Sequence, residues 1–245
     1  MFKRIKKRIK KRITREIAAY RLSKRQVQDR VDRPVRLIGG EEGWTLCPEF
    51  VNEKSVVYSF GVGQNVDWDL AMIDEFGVTV HAFDPTSGSI QWVSEQCFPE
   101  KFVFHDCGIS DFDGTLDFFP PKRPGGHYSQ DVRKHTTPEH ETVPGGVHRL
   151  TSIMRENQHH RIDVLKLDVE GSEFEAIPDI LQQNVPIGQL LIEIHYHYPS
   201  RGFENGMKLI ESIKRHGMRC FYVSARGYEF GFVHEDLVKQ PVSAA

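Results

Sequence analysis

Short apolar runs alternate along the chain with stretches of helical spacing. Residues 54–60 (KSVVYSF) are dense in β-branched and aromatic side chains and predict a buried strand. The strand runs into a glycine turn, then into residues 61–77 (GVGQNVDWDLAMIDEFG), where Val66, Leu70 and Ile73 share one helical face. Residues 78–84 (VTVHAFD) predict the next strand, 86–97 a short helix and 101–106 (KFVFHD) a third strand. Regular alternation resumes at 163–168 (DVLKLD), followed by a helix over 172–181 that Pro178 should distort. Residues 188–197 (GQLLIEIHYH) read as another apolar strand. Residues 204–217 read as an amphipathic helix closed by Gly217. Residues 218–224 and 228–234 are two strands separated by Ala225, Arg226 and Gly227, so short a connection that they must pair as an antiparallel hairpin. Repeated strand–turn–helix units of this kind predict right-handed crossovers and a parallel sheet.

The stretch 111–148 breaks that rhythm. Nine Pro and Gly residues from Pro120 to Gly146 punctuate it, Pro124, Gly125, Gly126 and Pro144 among them, and it carries His127, His135, His140 and His148. An irregular insertion inside a compact α/β domain is expected to be a lid or a binding loop, with an exposed hairpin as the plainer alternative.

Charge changes the picture at one end. Residues 1–36 hold fifteen Lys/Arg and three Asp/Glu, whereas the other 209 residues hold 17 basic and 31 acidic side chains. Phe2, Ile5, Ile9, Ile13 and Ile17 recur at spacings of three and four, which draws one narrow apolar stripe on a basic helix. Such a helix suits peripheral contact with an anionic membrane, and a solvated leader is the bland alternative. We therefore divide the chain into a basic amphipathic leader (1–35) and a catalytic or binding domain (36–245). No run is long and apolar enough for a membrane-spanning helix. The four cysteines, Cys47, Cys97, Cys107 and Cys220, form no C-x-x-C pair, which suits a reducing, cytoplasmic setting.

The glycine turn is the first place with readable chemistry. Gly61 and Gly63 lie between a strand and a helix N-terminus, without the third glycine of a dinucleotide fingerprint. Asp67, in the first helical turn, would repel a pyrophosphate. Asp84 ends the next strand, where a carboxylate can accept both hydroxyls of a ribose, and Asp106 ends the one after. A cofactor with a ribose and no phosphate is expected, and S-adenosylmethionine has that composition.

The segments 56–69 (VVYSFGVGQNVDWD), 81–85 (HAFDP), 108–119 (GISDFDGTLDFF), 163–177 (DVLKLDVEGSEFEAI) and 190–195 (LLIEIH) resemble, in order, the FkbM-like S-adenosylmethionine-dependent methyltransferases. The resemblance spans about residues 36–235 and does not include the basic leader. It implies a Rossmann-like methyltransferase sheet of seven strands, mostly parallel. By similarity, Gly61 and Gly63 form the cofactor loop, Asp84 takes the ribose, and the Asp106–Cys107 turn flanks the adenine. O-Methylation of a carbohydrate or another small hydroxylated acceptor is the activity that this resemblance implies.

Three residues are candidates for the chemistry. Asp168 ends a strand expected beside the first, and Glu193, His195 and His197 alternate along the next strand. Asp168, Glu193 and His195 are expected to meet in one cleft, with His195 as the base that takes the acceptor's proton. The same groups would also suit Mg²⁺ or Mn²⁺ that lowers the acceptor's pKa. Lys166 and Glu193 are charges inside otherwise apolar runs, and a buried charge is costly without a partner. His159 and His160 read as solvated. Two other classes compete with the methyltransferase of small acceptors: a nucleic-acid methyltransferase gripping phosphates with the leader, and a non-catalytic adenosine-binding module. The acidic domain opposes the first, and the acid–imidazole set opposes the second.

Overall fold

A computed structural model describes residues 20–120, 142–198 and 200–240. The isoleucine stripe at 2–17 and the histidines at 127, 135 and 140 lie outside these residues. The core is a seven-stranded sheet in the order β11-β12-β10-β9-β3-β4-β5. Its parallel members are β3 (Val56–Phe60), β4 (Thr79–Phe83), β5 (Phe102–His105), β9 (Ile162–Leu167) and β10 (Ile187–Glu193). The chain starts at the sheet centre in β3, moves outward through β4 and β5, then crosses to β9 and β10 on the other side. That reversal beside β3 opens a crevice beyond the carboxyl ends of β3 and β9. At the far edge, β12 (Glu229–His234) is antiparallel to both β10 and β11 (Met218–Val223).

Alternation along each strand separates two cores. Tyr58, Phe60, Leu165, Leu167, Leu190 and Ile192 face α3 (Leu150–Glu156), α4 (Glu173–Gln182) and α5 (Phe203–Arg215). Val57, Val80, Val164 and Leu191 face Trp68 and Met72 of α1 (Asp67–Phe76) on the opposite side. The short helices α2 (Ser87–Ser94) and α6 (Glu235–Val238) complete the layers. Segment 36–51 joins the second core. Its strands β1 (Arg36–Ile38) and β2 (Trp44–Leu46) pair antiparallel, and the fully buried Gln189 amide clamps Cys47 through both its N–H (2.8 Å) and its carbonyl (3.1 Å). An amide placed this way satisfies two backbone groups that burial would otherwise strand. Upstream, Leu22 and Val27 are buried in the first core, and the Asp29 carboxylate accepts from Lys214 Nζ (2.9 Å) and the Cys220 N–H (2.9 Å).

Part of the irregular stretch is ordered as a second small sheet. In it β8 (Val143–His148) pairs parallel with β6 (Gly108–Ile109) and antiparallel with β7 (Gly114–Phe118). Residues 121–141, the middle of the expected lid, lie outside the described residues. The expected strand over 188–197 is shorter than its apolar pattern. It ends at Glu193: the Ile194 N–H still donates to Tyr228 O (2.8 Å) in register with β12, but the His195 N–H leaves the ladder for a side chain. His197 then lies in a turn, exposed, with its ring against Tyr228. His159 is not simply solvated. Its Nδ1 meets the Tyr58 hydroxyl at 2.8 Å beside His81 and His105, and burial holds all three imidazoles below the ordinary histidine range.

Candidate active site

A cleft of about 790 Å³ opens at the carboxyl edge of the sheet. Its floor is the turn after β3. Gly61 has φ +89°, and a Cβ there would overlap the carbonyl oxygen of Asp168, so only glycine lets the two backbones touch. Asp84, 5% exposed, fixes this turn. One of its carboxylate oxygens accepts from the N–H groups of Val62 (3.1 Å) and Gly63 (2.9 Å), the other from the Thr86 N–H (3.0 Å) and hydroxyl (2.6 Å). Asp84 therefore organises the loop as well as bordering the cleft.

The cleft's chemistry suits an uncharged nucleoside better than a phosphate. Phe60, Val62, Phe83, Ile109 and Phe118 supply apolar walls. The N-terminus of α1 is already occupied, since Asn65 Oδ1 accepts from the Asp67 N–H (2.8 Å) and two aspartates sit in its first turn. An anion at that helix end would meet capped donors and negative charge. Two expected cofactor residues are displaced from the lining. Asp106 is exposed, and Gly108 and Ile109 border the cleft where Asp106 and Cys107 were expected. The turn after β5 carries both residues past the cleft before the chain re-enters it as β6. The Cys107 thiol is pushed up to about 11, first by burial and then by the Asp106 and Glu156 carboxylates.

The three candidate catalytic groups do converge: Asp168, Glu193 and His195 each offer a ligand atom within 4.8 Å of the other two. Asp168 and Glu170 border the cleft directly, with Glu193 and His195 behind them. His195 is 2% exposed and is held from both ends. Its Nδ1 lies 3.1 Å from Glu173 Oε1, and its Nε2 faces Glu170 (3.7 Å), Asp168 (3.8 Å) and Glu193 (3.8 Å). Burial alone would drive this imidazole neutral. The Glu173 carboxylate and hydrogen bond, then Glu193 and Asp168, outweigh burial and raise its pKa to about 10. His195 thus holds both ring protons at neutral pH and lacks the free lone pair expected of a base. The groups with lone pairs turned to the cleft are carboxylates. Glu193 is raised to about 7 by burial and the Asp168 charge, with His195 opposing them.

Sequence reasoning missed Glu173, fully buried at the start of α4. Burial pushes its carboxyl up, but the His195 charge and hydrogen bonds bring it below the ordinary range. It missed Asp69 as well. On α1 this residue is 1% exposed, borders the cleft, and its Oδ1 has no hydrogen-bond partner. Burial raises its pKa, while Lys166 and the Ser59 hydroxyl lower it. Lys166, 5% exposed in the central strand, reaches Ser59 Oγ (3.4 Å) and the Gly61 carbonyl (3.2 Å). The signal for Asp69 was available: it sits at helical spacing among apolar residues, on the face that must be buried.

No helix among the described residues is long and apolar enough to cross a membrane. Two curated proteins are similar to this chain. The probable methyltransferase-like protein 24 of Homo sapiens is 28% identical over 167 residues, which is 67% of this chain and 38% of that protein. The protein of the same name from Rattus norvegicus is 25% identical over 193 residues, 74% of this chain and 46% of that protein. The chain therefore spans less than half the length of these relatives. Residues 35–230 match the methyltransferase FkbM domain, and the chain belongs to that methyltransferase family.

Proposed function

We propose that the protein transfers a methyl group from S-adenosylmethionine to a hydroxyl of a carbohydrate or another small hydroxylated acceptor. The single observation that carries this reading is the convergence of Asp168 and Glu193 on His195 directly behind a nucleoside-sized cleft. Gly61, Gly63 and Asp84 would hold the cofactor, through the turn that Asp84 clamps. When bound, the cofactor supplies an electrophilic methyl on a sulfonium. The chain's own residues orient the acceptor hydroxyl in line with that methyl and take its proton as the new C–O bond forms. Asp168, at the cleft wall, and Glu193, behind it, are the proton acceptors. His195 keeps their charges close together by standing between them as a cation. A nucleic-acid substrate is disfavoured because this site gathers four carboxylates around one imidazole.

Turnover on a panel of glycans and hydroxylated metabolites, read as a gain of one methyl by mass spectrometry, tests the assignment. Glu193→Gln is expected to lower turnover by about 10²–10⁴-fold while S-adenosylhomocysteine still binds. Binding without any methyl gain across the panel would favour an adenosine-binding module. A second reading has the same three groups holding Mg²⁺ or Mn²⁺. It is favoured by their mutual spacing and by Glu173, which turns His195 Nε2 towards the carboxylates, and it requires the ion to displace the Nε2 proton. Under that reading a chelator abolishes turnover and either ion restores it.

A further inference from the structure

Residues 1–19, with nine Lys/Arg against one Glu, are the strongly charged segment that the candidate site does not use. Described residues fix where this segment joins the domain. Leu22 and Val27 are buried in the first core. Arg21 and Arg25, four residues apart, grip the same Glu204 carboxylate, one on each oxygen at 3.0 Å. Exposed ion pairs add little stability, so the two buried side chains hold the segment and the pairs set its direction. Glu204 lies in the first turn of α5, next to Phe203, and the Arg21 guanidinium stacks 3.8 Å above the Phe203 ring. α5 starts after the turn that leaves the carboxyl end of β10 and runs back to the start of β11. Its first turn therefore stands at the carboxyl edge of the sheet. Phe203 packs edge-on against Tyr196, the residue after His195, at 5.3 Å. Residues 1–19 thus join the domain, at the 62% exposed Tyr20, on the same edge as the cleft and its carboxylates.

We propose that residues 1–19 dock this edge onto an anionic bilayer, so that the cleft faces the membrane and the acceptor hydroxyl is one borne on a lipid headgroup. The docking stands on charge and position alone. The acceptor half rests on the methyltransferase reading and narrows its substrate class to membrane-borne hydroxyls. Each basic side chain near an anionic surface raises affinity roughly fivefold. The rest of the chain, with 23 Lys/Arg against 33 Asp/Glu, is repelled by the same surface. An attracted segment and a repelled body leave one point of contact, and that point decides which edge of the sheet faces the bilayer. A membrane is favoured over a nucleic acid by the apolar positions. Phosphates of either kind engage the basic side chains, but Phe2, Ile5, Ile9, Ile13 and Ile17 gain only where hydrocarbon lies beside the phosphates. The four carboxylates around His195 would repel a polyanion led through the site. They tolerate a headgroup raised out of the bilayer, because the surface potential decays within about 8–10 Å.

Fluorophores at the two edges of the sheet decide the orientation. In the full chain, Cys107→Ser leaves the exposed Cys97 as the labelling site, with Cys47 and Cys220 buried. Cys97 follows α2 and precedes β5, so it lies at the amino edge. Cys97→Ser, Cys107→Ser and Ser200→Cys together move the label to the exposed turn after β10. The two edges are a strand apart, roughly 17–20 Å. On phosphatidylcholine vesicles carrying phosphatidylglycerol and a nitroxide-headgroup lipid, the label at position 200 should lose its fluorescence and the label at position 97 should keep it. Ile5→Asn, Ile9→Asn and Ile13→Asn together should weaken vesicle binding at least about tenfold and leave binding to a single-stranded oligonucleotide unchanged. Quenching at position 97, equal quenching at both, no binding to these vesicles, or a triple variant that binds them like wild type would overturn the docking. The acceptor half is read on vesicles of a total polar lipid extract with S-adenosylmethionine. The full chain should add one methyl to an extracted lipid at least about tenfold faster than a chain lacking residues 1–19, with equal rates on soluble acceptors. Methylation of soluble acceptors alone would overturn the membrane-borne acceptor and leave the methyltransferase reading standing. No methyl gain on either would overturn that reading and the acceptor half with it, while the quenching still decides the docking.

Discussion

Glu173 Oε1 accepts two hydrogen bonds from one residue, the backbone N–H of His195 at 2.7 Å and its Nδ1 at 3.1 Å. Its other oxygen accepts from the Gly171 N–H at 2.9 Å. A single buried carboxylate therefore ends β10, sets the imidazole's rotation, and ties the Asp168–Gly171 turn to the neighbouring strand.

Replacing that carboxylate should be felt in His195 before it is felt anywhere else. His195 carries a pKa raised to about 10, so it contributes stability that is full below about pH 6.5 and is lost as pH rises through about 10. In Glu173→Gln the imidazole should titrate at lower pH, and the variant should lose about 1.5–3 kcal/mol of stability at neutral pH. Histidine NMR titration and urea unfolding between pH 7 and 10 check both. An unchanged His195 titration would mean that Glu173 does not set its charge.

Asp84→Ala should weaken S-adenosylhomocysteine binding at least about tenfold, since one carboxylate holds Val62, Gly63 and Thr86 in place. Thr86→Ala removes one bond to that carboxylate and should cost less. Titration calorimetry on both variants gives the order of the two effects, and the reverse order would contradict Asp84 as the organiser of the turn.

The imidazoles of His81, His105 and His159 are held neutral by burial, His81 down to about 4. Between about pH 6.5 and 4 the unfolded chain takes up a proton at His81 and the folded chain does not, so stability falls as pH is lowered. His81→Gln should flatten this acid limb, by about 1–2 kcal/mol after allowance for its partial exposure. Denaturant midpoints from pH 7 to 4.5 test the difference in slope.

Two truncations should separate residues 1–19 from the segment after them. Deleting 1–19 is expected to leave unfolding and S-adenosylhomocysteine affinity unchanged and to reduce binding to anionic vesicles. Deleting 1–35 also removes Leu22, Val27 and the Asp29 contacts with Lys214 and Cys220, and should cost roughly 3 kcal/mol or more. Equal stability of the two truncated proteins would show that residues 20–35 do not support the domain.

The parallel sheet was legible because its strands are buried on both faces and read as unbroken apolar runs, as in VVYSF and VLKL. The glycine turn was legible from its place between such a run and a helix. The length of β10 was not. The pattern LLIEIHYH continues past Glu193, and only Glu173, remote in sequence from the strand's pattern, takes the His195 N–H away from the ladder. Glu173 itself was invisible because an acid in a helix's first turn is what solvent and the helix dipole both favour. Its burial depends on His195, which lies 22 residues further on. Lys166 announced itself as a charge within an apolar strand, but its relation to Asp69 spans two elements and has no local signature.

The overlap that a side chain at Gly61 would create with Asp168 has a consequence for how the site can change. Under the proposed function, the turn that would receive the methyl donor and the turn that would carry an acid towards the acceptor are welded at one backbone junction, without an intervening side chain. The span between donor and proton acceptor would thereby be a property of the scaffold, fixed by the register of β3 against β9. Surrounding loops are free to diverge and admit acceptors of new shape, while the reach of the reaction stays constant beneath them.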